Sequence, residues 1–249
     1  MNYSRDMPIN SAAATEAYDQ LRYYFSQFGL GAETGIDLPS ASTGVAGDRH
    51  LDGRLLDFMI GQYDTYTPLQ MAQYISTIAN DGYRMKARLV SEIREPSSNP
   101  EEPGAVVQKF EPTVLNRIDM SDAHISRVQQ SLQRVVHGTN GTARTTFKNG
   151  LNHSVRVAAK TGTAESFTHV NGRLVEGNNQ TFIAYAPADN PEIAIAVVVP
   201  HVSTSSSDTS VSQRIGADMM NLYFDLQEER EGPVEVDEQV LEDVEETID

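Results

Sequence analysis

The chain has 249 residues, of which 39% are hydrophobic, so it is long enough for one large domain or two small ones with a packed interior. Acidic residues outnumber basic ones by 35 to 19. The net charge of -16 makes nucleic acid and anionic membrane surfaces poor partners, because binding phosphates requires a basic surface. The absence of cysteine excludes disulfides, thiol catalysis and cysteine-zinc sites.

Three amphipathic helices are predicted in the first part of the chain. The first spans residues 11 to 28 and places these apolar side chains on one face: Ala14, Ala17, Leu21, Tyr24, Phe25 and Phe28. The second begins at the capping box Thr67-Pro68-Leu69-Gln70 and ends before Asp81-Gly82. The third covers residues 121 to 136, and a proline-rich loop at residues 95 to 104 precedes it.

The next part of the chain is rich in β-branched residues and predicts an antiparallel sheet. Strand-like segments at residues 154–163, 181–186 and 192–199 follow one another with short connections. Asn171-Gly172 favours a hairpin turn between the first two. A closing amphipathic helix is marked by Val211, Ile215, Met219, Leu222 and Leu226. Helices, then an antiparallel sheet, then a final helix predict an α+β fold in which the sheet is packed with helices.

The last 22 residues, 228–249, differ in composition from the rest of the chain. They contain eleven acidic residues, and Arg230 is their only basic one. Few apolar side chains are present to offset the entropy of ordering such a segment, so it is predicted to be a disordered, dispensable tail after a domain at residues 1–227. The alternative is an acidic surface that contacts a partner.

Sequence motifs that would indicate nucleotide binding or metal binding are weak in this chain. Gly29, Gly31 and Gly35 approximate a dinucleotide-binding fingerprint, but the spacing is one residue too long and the segment follows a helix instead of a strand. The six histidines show no metal-ligand spacing. The sequence therefore predicts no metal and no cofactor.

One candidate site remains, Lys160-Thr161-Gly162-Thr163 on the first predicted strand. Glycine weakens a strand and often marks the close approach of another backbone. The neighbouring hydroxyls and the ammonium suit a peptide carboxylate. The alternative is an edge strand with a glycine bulge and a solvated lysine, and these four residues alone favour neither interpretation.

Four segments form a combined pattern: residues 28–39, residues 60–70 continuing to 78–82, residues 135–143 and residues 160–165. In this order and spacing they resemble the transpeptidase domain of class B penicillin-binding proteins, most closely the division-type 2B group of Gram-positive bacteria. The resemblance covers residues 15 to 226. It implies the transpeptidase fold shared by serine DD-peptidases and β-lactamases.

That family uses three motifs, Ser-x-x-Lys, Ser-x-Asn and Lys-Thr-Gly. This chain has the third, at Lys160, but no serine is followed three residues later by lysine. Ser97-Ser98-Asn99 matches the second motif literally, but it lies in the proline-rich loop, out of the family's order. The resemblance therefore implies the C-terminal part of a longer transpeptidase, with the first two motifs preceding Met1.

The resemblance implies acyl transfer from peptidoglycan stem peptides ending in D-Ala-D-Ala, through a serine acyl-enzyme that β-lactams also form. Lys160 and Thr163 would be the catalytic residues, with the Thr163 N–H as half of an oxyanion hole. Thr161, Gly162 and Thr163 would bind substrate. Strict alternation places Lys160 on the opposite face of the strand from both threonines, so a twist or bulge at Gly162, or the reach of the lysine, has to bring them together.

The resemblance also implies a location on the extracellular face of the cell membrane, with an anchor in an N-terminal segment absent from this chain. The implied partners are stem peptides, β-lactam antibiotics and division proteins of the membrane. Two alternatives stay open. One is a non-catalytic binding or assembly module of the same fold. The other is a β-lactamase or β-lactam sensor, which also requires Ser-x-x-Lys.

Overall fold

The computed structural model describes residues 11–47, 54–99, 102–203 and 208–231. Its helices are α1 (Ser11–Gln27), α2 (Leu55–Met59), α3 (Pro68–Ala79), α4 (Asp122–His137), α5 (Arg144–Gly150) and α6 (Val211–Glu231). Its strands are β1 (Tyr83–Met85), β2 (Glu92–Arg94), β3 (Val106–Lys109), β4 (Val114–Arg117), β5 (Ala158–Val170), β6 (Arg173–Ala186) and β7 (Ile193–Ser203). The predicted α+β class, with helices around an antiparallel sheet, is confirmed.

The central sheet has the order β5-β6-β7, with all neighbours antiparallel. β5 and β6 form a long hairpin that pairs from Ala158 with Tyr185 to Val170 with Arg173. Asn171 and Gly172 form its turn with φ values of 52° and 76°. Two positive φ angles are typical of the type I′ turn that Asn-Gly predicts. Among the described residues β5 pairs only with β6, so its other edge is free.

Hydrophobic side chains cover both faces of this sheet. On one face α5 and α6 contribute to a buried cluster that includes Phe147, Phe182 and Met220. On the other face α3 and α4 contribute to a second cluster that includes Ile75, Leu132 and Tyr185. Because successive strand residues point to opposite faces, neighbouring residues of β5 face different helix pairs.

The predicted start of α3 is confirmed in detail. The Thr67 hydroxyl accepts a hydrogen bond from the Gln70 N–H at 3.2 Å, and Gln70 Oε1 accepts one from the Thr67 N–H at 3.0 Å. The fully buried Gln70 amide also donates to the carbonyls of Gly29, Ala32 and Thr43. The first turn of α3 therefore holds the glycine-rich loop that follows α1 in place.

The buried face of α1 agrees with the predicted one at Ala14 and differs from it at Tyr18 and Tyr24. Ala14 and Tyr18 are buried, whereas Tyr24 is 42% exposed. The Tyr18 ring lies 5.4 Å from the ring of Phe58, and Arg22, one turn later, donates two hydrogen bonds to the Asp64 carboxylate. The surface that α1 meets is aromatic and acidic, so a tyrosine and an arginine lie on its inner face.

Several short elements were not predicted, namely α2, α5 and the two-stranded ribbons β1–β4 and β2–β3. At the other end α6 continues through Glu231, four residues past the predicted boundary at residue 227. The rest of the predicted tail, residues 232–249, lies outside the described residues. Within the described part, no helix combines the length and apolar character needed to cross a membrane.

Candidate active site

The candidate motif lies in a regular stretch of β5. Lys160, Thr161, Gly162 and Thr163 pair in unbroken register with Ile183, Phe182, Thr181 and Gln180 of β6. The bulge at Gly162, one of the predicted options, is therefore wrong. The side chains of β5 alternate between the two faces of the sheet through the whole motif. Lys160 lies on the face covered by α3 and α4, and both threonines lie on the face covered by α5 and α6.

The ammonium of Lys160 reaches the backbone of the next residue. Lys160 is exposed, and its Nζ donates a hydrogen bond to the Thr161 backbone oxygen at 2.5 Å. The side chain therefore lies along its own strand. No carboxylate in the described part of the chain pairs with this ammonium, so its positive charge is not neutralised there.

Thr142 contacts the candidate motif and was not among the residues that the sequence singled out. Its Oγ1 lies 2.9 Å from Thr161 Oγ1, and either hydroxyl can donate. The next residue, Ala143, is fully buried, and its N–H donates to the Val135 oxygen, which fixes the loop between α4 and α5. In this loop Ala143 packs in the interior, whereas the Thr142 hydroxyl contacts the motif. The only sequence feature that points to Thr142 is a hydroxyl residue placed directly before an alanine.

The space beside Gly162 is occupied by a side chain. A Cβ on Gly162 would lie 2.2 Å from Thr181 Oγ1, which belongs to the residue directly opposite on β6. The sequence predicted that another backbone approaches here, and the structure places the hydroxyl of Thr181 there instead. Glycine at position 162 thus allows Thr181 to lie close against the motif.

Gly162→Ala in the full-length protein is expected to destabilise the domain by about 1–3 kcal/mol, the usual cost of inserting a methyl group into filled space. The thermal midpoint of unfolding measures this effect. Thr181→Ala removes the blocking hydroxyl, so the double variant should unfold close to the Thr181→Ala variant alone. Strict additivity of the two changes would show that contact with Thr181 is not the cause.

Ser97-Ser98-Asn99 has a local structural role. The Ser97 hydroxyl accepts from the Asn99 N–H at 3.1 Å and donates to the Asn99 oxygen at 3.0 Å, in the exposed connection between β2 and β3. This hydroxyl stabilises its own turn, as expected for a literal match that lies out of the family's order. In the described ranges no group of three or more His, Asp or Glu side chains is arranged to hold a metal ion.

Comparison with known proteins places this chain in a family. The sequence profile of the penicillin binding protein transpeptidase domain matches residues 1–221. Penicillin-binding protein 2A of Bacillus subtilis is 50% identical over 221 residues, which cover 87% of this chain and 30% of that protein. Penicillin-binding protein 2B of Streptococcus pneumoniae is 38% identical over 222 residues, with 89% and 32% covered.

The fold agrees with the sequence comparison. The structure of penicillin-binding protein 2B from Streptococcus pneumoniae strain R6 superposes with a TM-score of 0.75 at 38% identity, covering 89% of this chain and 35% of that chain. This chain thus spans about a third of the length of the relatives it matches. The matched profile, these identities and the shared fold show that the chain belongs to the penicillin-binding protein transpeptidase domain family, in its class B branch.

Proposed function

We propose that the full-length protein is a peptidoglycan D,D-transpeptidase, whose nucleophilic serine lies outside the 249 residues of this chain. The observation that carries the proposal is the position of Lys160-Thr161-Gly162-Thr163 on the free edge of the central sheet, with an exposed, unneutralised ammonium. A peptide can bind such an edge as an additional strand, because main-chain N–H and C=O groups are available there.

Each motif residue has a role in this proposal. The Lys160 ammonium supplies positive charge near the substrate carboxylate and the serine. The hydroxyls of Thr161 and Thr163 donate hydrogen bonds to that carboxylate, and the Thr142 hydroxyl orients Thr161 across their 2.9 Å contact. The Thr163 N–H stabilises negative charge on the carbonyl oxygen during attack.

The proposed reaction has two steps. The serine oxygen attacks the carbonyl carbon between the two D-alanines, the C–N bond breaks, and the terminal D-alanine leaves after its nitrogen takes a proton. The amine of a neighbouring stem peptide then attacks the ester, forms the cross-link and releases the serine. Penicillin acylates the same serine, but its opened ring stays attached and no amine leaves.

The proposal also covers the cellular location and the protein partners of the full-length protein. The identities to penicillin-binding proteins 2A and 2B support a place at the cell membrane, with this domain on the extracellular face and an anchor elsewhere in the full-length protein. The resemblance to the division-type group favours membrane proteins of cell division as partners. Membrane fractionation and protease accessibility of the full-length protein in intact cells test the location.

Incubation of the purified full-length protein with fluorescent penicillin tests the proposed activity. We expect one stoichiometric label that survives denaturation and maps to a serine followed three residues later by lysine. A stem peptide ending in D-Ala-D-Ala should release D-alanine when an acceptor amine is present. A folded protein that takes no label would be a non-catalytic module, and rapid hydrolysis of penicillin would indicate a β-lactamase.

A further inference from the structure

The threonine face of β5, on which Thr161 and Thr163 lie, continues beyond the motif. Because side chains alternate along a strand, Glu165 and Phe167 share this face. The three residues that follow Thr161 on it are all exposed. The residue that precedes Thr161 on the same face, Ala159, is fully buried. The threonine face is therefore closed at the start of β5 and open toward its end.

Glu165 has no charged neighbour on this face. Its carboxylate makes no ion pair or hydrogen bond with another residue of the described ranges. Asn178 lies directly opposite on β6, and Thr163 and Phe167 are its neighbours along the strand. His169, the next basic residue on this face of β5, is four positions away, or roughly 13 Å in an extended strand. The carboxylate can therefore bind a cation that a ligand brings.

The direction of a bound peptide follows from the closed end of this face. A substrate carboxylate held by Thr161 and Thr163 lies at that end. There the loop before α5 contacts Thr161 through Thr142, with 2.9 Å between the two hydroxyl oxygens. Since Ala159 is buried as well, the rest of the peptide has room only toward Glu165. A peptide that adds to the edge of β5 in this direction runs antiparallel to the strand.

The spacing along the substrate matches the spacing along the strand. The residue before D-Ala-D-Ala lies two positions from the terminal residue, and Glu165 lies two positions from Thr163. In extended chains both spans are roughly 6.6 Å, and residues two positions apart share a face. A terminal residue whose carboxylate meets the threonine hydroxyls therefore places the side chain of the residue before D-Ala-D-Ala beside Glu165.

We propose that Glu165 is a specificity-determining residue, whose carboxylate binds an ammonium group on the stem-peptide residue before D-Ala-D-Ala. This inference rests on the proposed transpeptidase function. Along β5 the charge changes from the cationic Lys160 to the anionic Glu165. A donor peptide with a C-terminal carboxylate and an ammonium group at this position has the complementary order of charges. A donor that is neutral at this position binds without the ion pair and reacts more slowly.

Ampicillin and benzylpenicillin form a matched pair for the test. They differ in one ammonium group, on the carbon that corresponds to the α carbon of the residue before D-Ala-D-Ala. The ratio of their acylation rate constants, ampicillin over benzylpenicillin, is measured with the full-length protein at about pH 6, where an α-amino group is protonated. We expect Glu165→Gln to lower this ratio roughly threefold, the scale of one exposed ion pair. Glu165→Lys adds repulsion and should lower it roughly tenfold.

Glu176→Gln is the matched control variant. Glu176 is an exposed glutamate on the same face of the sheet, but it lies on β6 opposite Phe167, farther from the motif. This variant should keep the ratio of the parent protein. Salt at about 1 M should lower the parent ratio toward that of Glu165→Gln. Release of D-alanine from acetyl-lysyl-D-Ala-D-Ala, compared with the same peptide acetylated on its side-chain amine, should depend on Glu165 in the same way.

The outcomes separate this inference from the function on which it rests. If neither penicillin acylates the full-length protein, the proposed function is wrong, and the role of Glu165 is wrong with it. If both penicillins react and the ratio is equal in the parent, Glu165→Gln and Glu165→Lys proteins, the function stands and the role of Glu165 is overturned. An equal fall of the ratio in Glu176→Gln would also overturn it, because the general negative charge of the surface would then be the cause.

Discussion

Lys160→Ala in the full-length protein is expected to slow acylation by penicillin by roughly 10² or more, the scale of losing one electrostatic group from an acyl-transfer site. We expect the substitution to lower the acylation rate and to leave the free energy of unfolding nearly unchanged. Lys160 is exposed, and within the described residues its Nζ hydrogen-bonds only to the Thr161 carbonyl, so its removal leaves no buried group without a partner there. Surface substitutions of this kind usually change stability by less than about 0.5 kcal/mol.

The second-order rate constant of acylation, measured with fluorescent penicillin, is the quantity to compare. Lys109→Ala is a matched control, because Lys109 is an exposed lysine on the separate β2–β3 ribbon and its one ion pair among the described residues is with Glu111. Its acylation rate should equal that of the parent protein. A normal rate for Lys160→Ala would show that Lys160 is only a solvated strand residue, which is the alternative that the motif alone left open.

Elements with a local chemical signal could be predicted from the sequence. Thr67 and Gln70 satisfy each other's backbone groups at the start of α3, and this depends on residues three positions apart. The Asn171-Gly172 turn is similarly local, because both residues tolerate the positive φ that a tight hairpin requires. Such signals act within one turn of chain and do not depend on the rest of the fold.

Elements that depend on distant partners could not be predicted. The ribbons β1–β4 and β2–β3 have strands of three or four residues, too short for an alternating pattern, and β1 meets β4 about 30 residues later. Helix α5 buries only Phe147 and therefore shows no apolar stripe. The departure of α1 from its predicted face has the same origin, because Tyr18 is buried against the ring of Phe58 and the half-buried Arg22 pairs with the carboxylate of Asp64.

The sequence predicted the parts of the candidate site that depend on local alternation, but not the contacts made by distant residues. The alternation of β5 fixed the faces of Lys160 and Thr161, and the structure confirms those faces. The contacts of Thr142 and Thr181 with the motif come from a loop and from a neighbouring strand. No spacing rule along the chain connects these residues, so only the folded arrangement reveals them.

The isolated 249-residue chain is expected to take no covalent label from fluorescent penicillin. None of its serines is followed three residues later by lysine, the arrangement that activates the nucleophile in this family. Ser166, the serine closest to the motif on β5, is 7% exposed, and its Oγ has no hydrogen-bond partner in the described residues. A buried hydroxyl with no neighbouring base stays protonated and does not attack a lactam.

The measurement compares the isolated chain with the full-length protein at equal concentration, with circular dichroism to establish that the isolated chain is folded. The full-length protein should be labelled, and the isolated chain should show only the background seen after boiling before addition of penicillin. A stoichiometric, denaturation-resistant label on the folded isolated chain would contradict the prediction. Peptide mapping would then identify which of its serines is activated, and the proposed division of the site between this chain and the rest of the protein would be wrong.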